Sequence, residues 1–129
     1  MKHAILILII LLAAALLLSS CAKKTESTPY QQISQETARE MMAKDDGHVI
    51  VDVRRQDEYD AGHIPGAILI PNESIGTNRP AELPDFDQII LIYCRSGNRS
   101  KRAAQKLADM GYKSIYEFGG INTWTGDIE

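Results

Sequence analysis

Cysteine is scarce in this 129-residue sequence, occurring only at positions 21 and 94. A pair of cysteines cannot build a disulfide-rich scaffold or a four-cysteine zinc site. His48 and His63 stand apart from any Cys/His cluster, so no metal centre is expected. Aromatic residues make up 6% of the chain, too few for a platform on which single-stranded nucleic acid would stack. Surplus positive charge is also missing: 14 Lys+Arg face 17 Asp+Glu, a net charge of −3, which argues against a nucleic-acid partner. There are no internal repeats, and the length is that of one domain.

The one long apolar run is Ala4–Leu18, preceded by Lys2 and followed by Ser19, Ser20 and Cys21. A basic start, a short apolar core and small residues describe an export signal, and fifteen residues fall short of an ordinary membrane span. Leu18-Ser19-Ser20-Cys21 resembles the lipobox of bacterial lipoproteins. That resemblance implies lipidation of Cys21, cleavage before it, and anchoring to a membrane on the side facing away from the cytoplasm. Ala22 follows the cysteine where an Asp would resemble an inner-membrane retention signal, so outer-membrane sorting is open in a two-membrane cell. The alternative is a simple cleaved signal with a chance cysteine. The expected organisation is a signal over 1–20, a lipidated cysteine and polar tether over 21–29, and one domain over 30–129.

Within that domain helices and strands alternate. Tyr30–Ile33 reads as extended, and Ser34 as the N-cap of a helix to about Lys44 with Ala38, Met41 and Met42 inward. His48–Val53 and Ile89–Tyr93 are short β-branched or apolar runs of the kind buried in parallel sheets, and Ala67–Ile70 is a weaker strand. Asn98–Met110 has helical apolar spacing at Ala103, Ala104, Leu107 and Ala108, with Gly111 as its stop. Ile115–Phe118 is a last strand, and Gly119-Gly120 opens a short helical end carrying Trp124. This alternation predicts an α/β domain with a largely parallel sheet.

In such a sheet, chemistry belongs beyond the carboxyl end of a strand. There lies Tyr93-Cys94-Arg95-Ser96-Gly97-Asn98-Arg99-Ser100, a tight loop feeding a helix. Its backbone N–H groups would converge on an anion, and the same field with Arg95 and Arg99 would favour thiolate at Cys94. A cysteine at a strand end is often an inert core residue, but the polar, cationic neighbours are a poor lining for one. If Cys21 is lipidated, Cys94 has no resolving thiol, which excludes C-x-x-C redox chemistry.

Three blocks in order resemble the rhodanese family. They are Val51-Asp52-Val53-Arg54 with Glu58-Tyr59 and Gly62-His63-Ile64-Pro65-Gly66-Ala67; Ile92 through Ser100; and Gly119-Gly120-Ile121 with Trp124 and Gly126. The resemblance spans about Tyr30 to Gly126. It implies a three-layer fold around a five-stranded, largely parallel sheet, and sulfur transfer through a persulfide on Cys94. Cys94 and Arg99 bracket four residues, whereas phosphatases and arsenate reductases of this fold resemble a loop one residue longer.

The resemblance thus implies that Cys94 takes a sulfane sulfur from thiosulfate, a polysulfide or a persulfide and passes it to a thiol or to cyanide, without metal or organic cofactor. Ser96, Gly97 and Asn98 would supply the loop, and Arg95 and Arg99 would orient an anionic donor. For Arg99 a loop-bracing role is equally open. Asp52 is expected to brace neighbouring loops, with Arg54 and Glu58 forming an ion pair across a short turn. His63 reads as a hydrogen-bonding fixture, and Trp124 with Tyr116 and Phe118 as core. A rival reading is a persulfide carrier or sensing module with little turnover of its own. A phosphatase stands a distant third.

Overall fold

The computed structural model describes residues 29–129. Cys21, the apolar run and most of the tether therefore lie outside the described residues. The elements in chain order are β1 (Gln31–Gln32), α1 (Gln35–Met42), β2 (Val49–Asp52), α2 (Gln56–Asp60), β3 (Ile68–Leu69), β4 (Ile89–Cys94), α3 (Asn98–Met110) and β5 (Ser114–Gly120). Single 3₁₀ turns occupy Asn72–Ser74 and Ile121–Thr123.

The five strands form one sheet in the order β1-β5-β4-β2-β3, and every pairing is parallel. Because side chains alternate across a strand, β4 feeds two cores. Ile90, Ile92 and Cys94 face α3, packing with Val51, Ala103, Ala104 and Leu107. Leu91 and Tyr93 face α1, packing with Ile50, Ala38, Ile64 and Phe118. Helices therefore cover both faces, as an all-parallel sheet requires. The nucleophile candidate is itself a member of the α3-side core.

Most elements match the sequence reading. Ser34 caps α1 by accepting the Thr37 N–H at 3.1 Å, and Gly111 ends α3 in the left-handed region at φ 109°. Two differences matter. The strand leading into the loop extends through Cys94, which pairs with Gly120 across a register shift between Ile92 and Cys94, and β5 runs on through Gly119 and Gly120. The turn after β2 contains the extra helix α2, which buries none of its five polar-rich residues and so leaves no apolar period to read.

Candidate active site

β4 delivers Cys94 to the end of the sheet with 1% of its surface exposed. The chain then reverses over three residues. Gly97, at φ 104°, takes a conformation that L side chains rarely adopt and turns its N–H onto Cys94 Sγ at 3.0 Å. α3 starts at the next residue, so its N-terminus points at the sulfur. The loop lies against the end of β5: a Cβ at Gly120 would collide with the Arg95 carbonyl. That carbonyl instead accepts the Asn122 N–H at 3.1 Å.

Burial pushes the Cys94 thiol up, but the hydroxyl of Ser100 and the backbone N–H groups of Ser100, Gly97 and Ser96 overcome it, leaving the thiol below its ordinary value. The short-range donors are backbone and hydroxyl; the arginines are not among the leading causes. Ser100 is central. Its Oγ is 3.4 Å from Sγ, donates to Glu117 Oε1 at 2.7 Å, and lies 3.0 Å from the Gly97 carbonyl. One hydroxyl proton thus serves several acceptors. Glu117 is buried on β5, where it also accepts the Gly119 N–H at 2.9 Å.

The other predicted residues divide. Ser96 and Asn98 are exposed, and Gly97 occupies the N-cap position of α3, with no side-chain cap. Asp52 and Arg54 form a fully packed pair: Arg54 donates through Nε at 3.0 Å and Nη2 at 2.7 Å to Asp52, and also through Nη2 to the Gly62 carbonyl. Tyr93 donates to Asp52 at 2.7 Å and accepts the Ile64 N–H at 3.1 Å. Burial pushes the Tyr93 hydroxyl well above its ordinary value. Asp52 thus accepts from the Arg54 backbone and guanidinium and from the Tyr93 hydroxyl.

The expected Arg54–Glu58 pair does not form. Arg54 folds inward onto Asp52, while α2 presents Glu58 to the start of α3, where Arg99 donates through Nη1 at 2.6 Å and Nη2 at 2.9 Å. That fork holds the Glu58 carboxyl down at about 2. Arg95 is exposed and lines a cleft of about 360 Å³ with Arg54, Arg55, Glu58, Arg99 and Asn122. His63 is a fixture, stacked on Tyr59 at 3.8 Å with Nδ1 3.0 Å from the Tyr59 carbonyl. Trp124 packs against Phe118 on the other side of the sheet.

Ser100 and Glu117 are the site residues that sequence reasoning passed over. The signal available was an acidic residue at an inward position of an apolar strand. Among the described residues no cluster of three His, Cys, Asp or Glu side chains could hold a metal ion.

A five-stranded parallel sheet flanked by helices, with a cysteine cradled between a strand end and a helix N-terminus, defines a class. The family model of the rhodanese-like domain matches residues 34–127. The chain belongs to that family. It is 36% identical over 99 residues to the "Putative sulfur carrier protein YrkF" of Bacillus subtilis (strain 168), covering 76% of this chain and 52% of the relative. It thus spans about half the length of that protein. Among solved structures it resembles a rhodanese-like domain protein from Staphylococcus aureus, with TM-score 0.66 and 30% identity over 77% of this chain and 96% of that one. It also resembles a rhodanese from E. coli solved with anions, with TM-score 0.58 and 28% identity over 64% of this chain and 96% of that one.

Proposed function

We propose that this protein is a sulfurtransferase in which Cys94 carries the transferred sulfur as a persulfide. The observation that carries the reading is the cradle itself: Cys94 Sγ takes the Gly97 N–H at 3.0 Å, at the N-terminus of a thirteen-residue helix. Those donors stabilise a thiolate and, one atom further out, a persulfide anion. The thiolate attacks the outer sulfur of a sulfane donor such as thiosulfate. A bond forms from Sγ to that sulfur, the donor's S–S bond breaks, and its electron pair leaves on sulfite. A nucleophilic acceptor, cyanide or a thiolate, then bonds the outer sulfur, and the breaking Sγ–S bond returns its electron pair to Cys94.

The B. subtilis relative's name favours a second reading, stoichiometric carriage of sulfur to a partner. Both need the same thiolate, and one experiment separates them. Intact-mass analysis after incubation with thiosulfate or a polysulfide should show one added sulfur atom, removed by cyanide and absent in Cys94→Ser. Steady thiocyanate production marks an enzyme, and a single equivalent marks a carrier. Cys94-dependent phosphatase activity with no sulfur adduct would overturn both. From the lipobox-like Leu18-Ser19-Ser20-Cys21 we further propose that a lipid on Cys21 holds the domain outside the cytoplasm.

A further inference from the structure

The cleft beside the loop gathers four guanidiniums, those of Arg54, Arg55, Arg95 and Arg99, and in a simple count suits a dianion. Its ion pairs change that count. Arg54 is spent on Asp52. Arg55 reaches Asp57 at 3.0 Å and Glu58 at 3.4 Å. Arg99 commits both terminal nitrogens to Glu58. Among the described residues Arg95 alone of the four enters no ion pair. One unmatched positive charge remains, and an ionised Cys94 at the foot of the loop offsets it.

We propose that Glu58 is a specificity-determining residue: by occupying both terminal nitrogens of Arg99, it tunes the cleft to sulfane donors bearing at most one negative charge, such as alkyl persulfides and thiosulfonates, over dianionic thiosulfate. The proposal rests on the sulfurtransferase reading and names its substrate class. A dianion has two ways in. It can displace Glu58 from Arg99, which strands a partly buried carboxylate, or it can sit on Arg95 alone with a charge in excess against the thiolate. Either costs binding energy that a monoanion does not spend. Glu58 is thus the repulsive element of the selectivity.

Methanethiosulfonate and thiosulfate make the comparison clean, because a methyl group replaces one oxide. In both, Cys94 Sγ bonds the sulfane sulfur and the sulfur–sulfur bond breaks. The electron pair leaves on methanesulfinate in one case and on sulfite in the other. No oxidant or reductant enters.

The test is kcat/KM for both donors, with cyanide as acceptor, at low ionic strength. Glu58→Gln keeps a hydrogen-bond acceptor for Arg99 but removes the charge. It should move the donor preference about tenfold toward thiosulfate, and added salt should shrink the shift. Arg99→Gln, which leaves Glu58 only its longer contact with Arg55, should move the preference the other way. A preference that shifts less than twofold in both variants overturns the proposal. If neither donor places a sulfur on Cys94, the sulfurtransferase reading falls, and binding to the Cys94→Ser protein still decides the charge rule. There, adding Glu58→Gln should tighten sulfite about tenfold relative to methanesulfinate; equal effects on the two overturn it.

Discussion

Burial opposes a thiolate at Cys94, and the donors around it reverse the balance. The Ser100 hydroxyl is the largest of these donors, and the backbone N–H groups of Ser100, Gly97 and Ser96, fixed by the Gly97 turn, add to it. The Ser100 proton is shared with Glu117. Alkylation of Cys94 followed against pH should therefore show a midpoint below the thiol value of about 8.5. In Ser100→Ala the midpoint should rise, and removing the hydroxyl that satisfies buried Glu117 should cost about 1–3 kcal/mol in urea unfolding. A wild-type profile indistinguishable from that of a free peptide thiol would show that the cradle does not ionise the sulfur.

At the scale of elements, α2 acts on α3 through one ion pair. The Arg99 fork holds the Glu58 carboxyl at about 2, below an unfolded value of about 4.3. A depressed carboxyl stabilises the fold above its unfolded value and loses that contribution as pH falls through the folded one. Glu58→Gln should thus cost about 1–2 kcal/mol at pH 7, the range between an exposed pair and a charge-assisted one. The gap from wild type should close between about pH 4 and pH 2. Urea titrations of both proteins at several pH values check it, and a gap independent of pH would assign the loss to packing alone.

The same elements show what was legible beforehand. β4 and α3 carry their own signals: an unbroken apolar run in one, and inward alanines and a leucine at helical spacing closed by Gly111 in the other. Hence the loop between them, with Cys94, was legible as the place for chemistry. α2 was not, because Gln56–Asp60 has no buried face. Nor was the Glu58–Arg99 fork, whose partners lie 41 residues apart and meet only when β2 and β4 pair side by side. Local spacing offered Arg54 as the nearer partner for Glu58, and tertiary packing gave that arginine to Asp52. Glu117 was hidden for a related reason: a strand's alternation tells which face a residue takes, and the hydroxyl that makes an acid tolerable there comes from α3.

At the scale of the whole molecule, the proposed lipid on Cys21 would tie a domain whose described residues contain no helix long and apolar enough to cross a membrane. Expressed in a bacterium, the wild-type protein should take up labelled fatty acid and partition into detergent. Cys21→Ala should do neither, while its domain still forms the Cys94 adduct. An unlabelled, water-soluble wild-type product would refute the anchor.

The sheet's outermost strands, β1 and β3, pair over only two residues each, while the central β4 runs for six. A parallel sheet grows by adding a strand to an open border, and a border this short offers a newcomer little to hold. If the proposed lipid crowded many copies onto one bilayer, the borders among the described residues would offer one another little backbone to pair with.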